Sequence, residues 1–204
     1  MNKTTGILFN MLLQIIKTIF MKRLIGLLIL VLVISSGAFA QKYMTKNGNI
    51  SFFSKTPVEN IEAHNKQVNS ALDISTGDFV FKVLMKSFEF EKALMQEHFN
   101  ENYVESDKYP NATFQGKITN LKEVNFSKPG VYNITADGNL TIHGVSKKIN
   151  QTGTLEVKGD KLNAKAKMNV KPADYQIRIP NTVAKQIAES IEVTVDVTLD
   201  KLNK

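Results

Sequence analysis

From residue 41 onward, apolar and polar positions alternate along most of this chain, with the period of a β-strand rather than a helix. The C-terminal segment is the clearest case. Ile191, Val193, Val195, Val197 and Leu199 interleave with Glu192, Thr194, Asp196, Thr198 and Asp200. Before it, Leu162, Ala164, Ala166, Met168 and Val170 interleave with Asn163, Lys165, Lys167 and Asn169. Residues 149–157 alternate in the same way, and Gly159-Asp160 between these two runs reads as a two-residue hairpin turn. Tyr132, Ile134, Ala136, Gly138, Leu140 and Ile142 form a further one-sided run after the turn Lys128-Pro129-Gly130. Earlier runs fall at 50–54, 68–74, 79–85 and 113–121, with Thr76-Gly77-Asp78 as a turn between the second and third. One apolar face per strand is the mark of antiparallel strands with water on one side. The pattern predicts an all-β domain of eight antiparallel strands, either a closed barrel or a two-sheet sandwich. Closure would remove the unpaired strand edges.

Two segments depart from this period. Residues 88–99 place Phe90, Leu94 and Met95 near helical spacing, with Ser87 as a cap, and predict one short helix followed by a loop at 100–110. Residues 181–188, after Pro180, predict a second short helix capped by Asn181 or Thr182. There is no internal repeat and no linker, so 41–204 is expected to be one domain.

The first 40 residues change the reading of composition. They hold four bases (Lys3, Lys17, Lys22 and Arg23), no acid, and 25 apolar residues. Met21-Lys22-Arg23 is a basic start, 24–34 an apolar run, Ser35-Ser36-Gly37 a break, and Ala38-Phe39-Ala40 an A-x-A cleavage site ahead of Gln41. The run is too short to span a membrane, which takes about 20 residues. Residues 1–40 are therefore expected to be a signal peptide with an extended N-terminus, and the mature chain a periplasmic or secreted protein. An uncleaved N-terminal anchor is the alternative. The whole chain carries +7, but without the leader 22 bases face 19 acids, a net of +3. That leaves little counterion release and argues against nucleic-acid binding. With no cysteine, disulfide scaffolds, zinc ribbons and thiol redox sites are excluded, as is a lipoprotein anchor.

Candidate chemistry is sparse. The three histidines, His64, His98 and His143, have no metal-ligand spacing. His98 reads as a solvated helix residue and His143 as an exposed turn residue. Asp137 is too far along the strand to be assigned to His143 as a partner. No nucleophile elbow, phosphate loop or HExxH motif is present. No catalytic residue, metal or cofactor is expected. Asn111-Ala-Thr, Asn133-Ile-Thr and Asn139-Leu-Thr match glycosylation sequons but fall in or beside predicted strands, and read as chance in a bacterial exported protein.

What remains is the inner face of the sheet. An eight-stranded barrel is wide enough either to be filled by side chains or to hold one small ligand. All nine Phe residues of the mature chain lie between Phe52 and Phe126, and the later strands offer Ala, Val, Leu and Ile. Small inward residues such as Ala136, Gly138, Gly153, Ala164 and Ala166 leave volume that either opposite Phe side chains or a ligand must fill. The inward positions expected to contact such a ligand are Phe79, Phe81, Val83, Phe114, Ile134, Ala136, Leu140, Leu155, Ala166, Met168, Val193 and Val195.

Two longer motifs point to a family. Tyr103-Val104-Glu105-Ser106-Asp107-Lys108-Tyr109-Pro110-Asn111-Ala112-Thr113-Phe114 resembles the K-Y-P-centred signature of the YceI family. Asp137-Gly138-Asn139-Leu140-Thr141-Ile142-His143-Gly144-Val145-Ser146-Lys147-Lys148-Ile149 resembles its G-x-L-T-i-x-G hairpin. Residues 87–99 occupy the place of that family's helix, and Ala173-Asp174-Tyr175-Gln176-Ile177 that of its late d-[FY]-x-I element. The resemblance covers the mature chain in order. It implies an eight-stranded antiparallel lipocalin-like barrel with one or two short helices, exported, with an elongated apolar cavity for a polyisoprenoid or quinone tail and no catalysis. The lipocalin G-x-W motif is missing, as the chain has no Trp. The first hairpin departs from the family by being short and broken at Pro57, which implies a different mouth. The expected function is an exported carrier or buffer for a long apolar chain, with transient membrane contact. A ligand-free barrel of the envelope stress response and a lipid-modifying enzyme using His143 are the other readings.

Overall fold

The computed structural model describes residues 41–202, together with Lys17 and residues 20–23. The expected leader, with its cleavage residues Ala38 and Ala40, lies outside the described residues apart from those five.

Nine strands form one antiparallel sheet: β1 (Lys42–Lys55), β2 (Asn60–Asp73), β3 (Asp78–Leu84), β4 (Glu89–Phe90), β5 (Asn111–Ile118), β6 (Gly130–Ile142), β7 (Val145–Lys158), β8 (Lys161–Val170) and β9 (Ile191–Lys201). Their order is β1-β9-β8-β7-β6-β5-β3-β2-β4, and β1 also pairs with β2. That last pairing closes eight strands into a barrel and leaves the two-residue β4 as an addition to β2. The eight strands predicted from the alternation are all present.

The first hairpin corrects an expectation. It is not short: β1 and β2 have 14 residues each, the joint longest in the sheet, and Pro57 sits in the turn between them. Two irregularities explain why the pattern looked broken. The β1–β2 register shifts between Thr45 and Gly48 and again between Gly48 and Ile50. The first shift adds one residue to β1 and the second adds one to β2, so each strand changes its inward face once: Tyr43 and Ile50 are both buried despite opposite parity, as are Asn65 and Val68. Gly48 sits between the shifts, where a Cβ would lie 2.9 Å from both Val197 methyl carbons. Buried Asn65 ties off the second shift. Its Nδ2 donates to the Leu84 carbonyl at 2.8 Å, and its Oδ1 accepts the Gln67 N–H at 2.9 Å.

The predicted helices also need correction. Residues 88–99 divide. Phe88 is buried, Glu89 and Phe90 pair with His64 and Ala63, and only Ala93–His98 forms α1. Ser87 does not cap it; Lys92 is the N-cap residue and makes no side-chain cap. The alternation Phe88-Glu89-Phe90-Glu91 was a strand signal in a segment too short to separate the two periods. Residues 181–188 form turns, not a helix.

All the long connections at one end lie on the same side. At that end β3 reaches β5 through residues 85–110, and β8 reaches β9 through 171–190. The opposite end holds the short β2–β3 and β7–β8 turns, the 119–129 connection and the dry part of the core, including Tyr43, Leu72, Ile118, Val124, Leu162 and Leu199, all under 8% exposed.

Candidate functional site

Strand parity aims the even residues of β6, β8 and β5 and the odd residues of β3 and β9 at the barrel axis. The space they surround is a cavity of about 370 Å³. All twelve residues expected to face a ligand line it: Phe79, Phe81, Val83, Phe114, Ile134, Ala136, Leu140, Leu155, Ala166, Met168, Val193 and Val195. The wall is almost wholly apolar. The cavity thus sits above a dry core, with Leu72, Ile118, Leu155 and Leu199 as the floor.

The inward glycines do not all add volume. Gly138 faces Gly116 across the β5–β6 ladder, and the Phe114 ring lies over both. Gly153 meets the β8 backbone, its missing Cβ falling 2.6 Å from the Lys165 carbonyl oxygen. The cavity instead opens beside Ala136, Ala164 and Ala166.

Sequence reasoning missed the cover. Phe52, Phe88, Phe90 and Phe99 form one aromatic cluster, with centroid separations of 5.1–5.7 Å in five pairs. Met95 and His98 of α1, together with Ile177, Ile179, Val183 and Ile187 of the second long connection, complete it. The F-E-F-E alternation was the signal available for Phe88 and Phe90; the 171–190 contacts had none. The cover is tied down by few polar links. Lys92 Nζ reaches Glu59 Oε1 at 2.9 Å, which joins α1 to the first turn. The Ala188 N–H donates to Ser54 Oγ at 2.9 Å.

His143 is not the exposed turn residue expected. With Gly144 it forms a turn in which both residues have positive φ, 52° and 74°, as a two-residue type I′ hairpin requires. Its side chain is only 11% exposed. Nδ1 donates to the Tyr175 carbonyl at 3.1 Å, since that oxygen can only accept, and Nε2 lies within hydrogen-bond distance of Glu105 Oε2, at 2.6 Å. Glu105 lies in the first long connection and Tyr175 in the second, so one ring pins both to the β6–β7 turn. Glu105 and Gln176 also have positive φ, at 44° and 58°, which marks the knot as over-determined. His143 does not line the cavity. His64 pairs with Glu62 on the barrel exterior at 3.2 Å, with both side chains 55% exposed. No group of three or more possible metal ligands occurs among the described residues.

His143→Ala leaves the Tyr175 carbonyl without its donor and puts Ala in a left-handed turn, an expected cost of about 2 kcal/mol. Hydrogen exchange should accelerate selectively at 99–109 and 172–177. Exchange that rises evenly through the strands, with no excess in those segments, removes the pin role.

Across residues 42–199 the chain matches the family model described as the YceI-like domain. The protein belongs to the YceI family. The fold agrees with solved structures at low identity. A polyisoprenoid binding domain from Saccharophagus degradans, implicated in plant cell wall breakdown, superposes with a TM-score of 0.69 at 12% identity, covering 80% of this chain and 99% of that one. BcnA of Burkholderia cenocepacia gives 0.62 at 15% identity, covering 74% and 95%. No curated protein matches the sequence significantly. The two motifs that carry the YceI resemblance meet in space. Glu105 and Tyr109 of the first contact His143 and Gly144 of the second, with the Tyr109 and His143 rings 4.5 Å apart.

Proposed function

We propose that this YceI-family barrel binds one long apolar chain, of the polyisoprenoid or quinone-tail type, in its lumen and acts as a carrier or buffer outside the cytoplasm. The supporting observation is the apolar cavity itself, about 370 Å³ and within the range of small-molecule sites. A dry structural barrel would have that volume filled. Each CH₂ buried from water contributes about 0.8 kcal/mol. The chain's alternative home is a bilayer as apolar as the lumen, so the net gain on transfer is small and the ligand can be handed on. The protein acts without catalysis on this reading. The residue an enzyme would use, His143, spends both ring nitrogens on Glu105 and Tyr175 and does not line the cavity.

The test is direct. Full-length protein expressed in an exporting bacterial host and extracted with organic solvent should release an isoprenoid-chain lipid, seen by mass spectrometry. N-terminal sequencing of the same sample should begin at Gln41. An empty extract from a folded sample sinks the carrier reading, and a start at Met1 or Met21 sinks the export reading.

Loading from a membrane accounts for two exposed apolar residues on the segments that Lys92 and Glu59 join. Val58 in the first turn is 63% exposed and Leu94 of α1 is 61% exposed. Among the described residues no helix is long and apolar enough to cross a membrane. The double substitution Val58→Asp, Leu94→Asp should slow transfer of a fluorescent prenyl lipid from vesicles about tenfold while leaving its equilibrium affinity in detergent unchanged. An unchanged transfer rate rules out this contact.

A further inference from the structure

The barrel wall is not uniformly sealed. β6 pairs with β7 along its whole length, to Ile142↔Val145, and β8 pairs with β9 to Val170↔Ile191. Between β7 and β8, however, the ladder runs only from Lys158↔Lys161 to Thr154↔Lys165 and then stops. Both strands continue beyond it. Residues 149–153 and 166–170 therefore face each other across a seam with no backbone ladder, and 145–148 extend past the end of β8. Gly153 marks its start, where the β8 backbone comes too close for any side chain. One side chain bridges it: Gln151 Nε2 donates to the Lys167 carbonyl at 2.9 Å and to the Thr152 carbonyl at 2.7 Å. Its far end is framed by the Lys147–Asp174 ion pair at 3.3 Å and by the His143–Tyr175 hydrogen bond.

Above the Gln151 bridge the seam holds a void of about 330 Å³. Leu140, Gln151, Met168 and Val170 line both this void and the lumen, so the two spaces share a wall. The outer rim has a different character. Lys147, Lys148 and Lys171 stand there against a single carboxylate, Asp174. Lys147 is matched by Asp174, while Lys148 and Lys171 have no ion-pair partner among the described residues. Tyr175 adds no negative charge: burial, and then the neighbouring Asp174 carboxylate, push its phenol above the ordinary value. An apolar inner wall beneath a cationic rim is the complement of an amphiphile with an anionic head.

We propose that the β7–β8 seam is a headgroup subsite: the anionic head of an amphiphile sits against Lys148 and Lys171, and its chain passes Leu140 and Met168 into the lumen. This rests on the lumen binding an apolar chain, and the experiment keeps the two claims apart. Farnesol and farnesyl monophosphate share one chain and differ in the head. Their affinities for the wild-type protein and for the Lys148→Ala, Lys171→Ala double variant are measured by competition at low and high salt, with inorganic phosphate as a third probe. The monophosphate should bind the wild type about tenfold more tightly than farnesol, and the preference should shrink at high salt. The double variant should lose that preference while its farnesol affinity stays put, which also shows that it is folded. Equal affinity of the two ligands for wild type, or a preference that survives in the double variant, overturns the subsite and leaves the lumen reading intact. Inorganic phosphate binding as tightly as the monophosphate makes the seam a free-anion site and overturns the amphiphile assignment. Binding of neither prenyl ligand overturns the lumen reading and the subsite with it.

Discussion

Gly138→Ala is expected to destabilise the barrel by about 3 kcal/mol, far more than one methyl group costs on an ordinary strand. The reason is local and steric. A Cβ at Gly138 would sit 2.5 Å from the Gln115 carbonyl oxygen, 2.6 Å from Cζ of Phe114 and 2.7 Å from Cα of Gly116. Two of those atoms are backbone and cannot swing away. The Phe114 ring is held in turn, because its centroid packs 5.2 Å from that of Phe79. Relief therefore requires β5 and β6 to separate where they pair Gly116↔Gly138. For a domain of this size the loss corresponds to a fall in Tm of roughly 10 °C. Gly159→Ala is the control. Its φ is 62°, but nothing lies within 4 Å of the added methyl, so only the backbone cost of about 1 kcal/mol applies. Thermal melts followed by circular dichroism decide the matter. Equal shifts for the two variants would mean that the close approach at Gly138 is relieved without cost.

The second large effect concerns the ligand. Ala166→Phe should weaken binding of a prenyl chain more than tenfold while leaving the melting temperature nearly unchanged. Ala166 lines the lumen on β8, opposite Val195 of β9. A phenyl group there fills part of a cavity of about 370 Å³ that a ligand would otherwise occupy. Displacing two methylenes from the lumen forfeits about 1.6 kcal/mol, already more than a factor of ten in Kd. Val131→Phe is the matched control, since Val131 lies on β6 but is 66% exposed. Competition with a fluorescent prenyl probe gives the answer. Unchanged affinity in a folded Ala166→Phe protein would place the chain elsewhere than in the lumen.

Much of this site was legible because most strands carry no register shift. On β3 and on β5 to β9 the side-chain period is two, so a run such as Leu162, Ala164, Ala166, Met168 and Val170 has only one way to face inward. All twelve expected residues lie on those strands and line the cavity. The first hairpin was misread for the opposite reason. Its two shifts flip the buried face once on each strand, and no local pattern announces them: Gly48, between the shifts, packs against Val197, about 150 residues away. The helix expected at 88–99 failed in a related way. Phe88 and Phe90 are held extended by contacts to Phe52 and Phe99, and a segment that short takes its conformation from its partners.

By itself, then, the sequence determined that the chain is an antiparallel all-β domain and which residues look inward, because alternation is a local property that survives without knowledge of the partner strand; the β1–β2 pairing decided between barrel and sandwich. It also carried the two motifs of the YceI family. Only the tertiary structure decided how much of the interior is empty, because that depends on whether Phe114 folds over Gly116 and Gly138 or points into the lumen. It alone brought Glu105 and Tyr175 to His143, across separations of 38 and 32 residues. It alone revealed the seam, since β7 and β8 each alternate without interruption and nothing in either strand says that their ladder stops at Thr154↔Lys165.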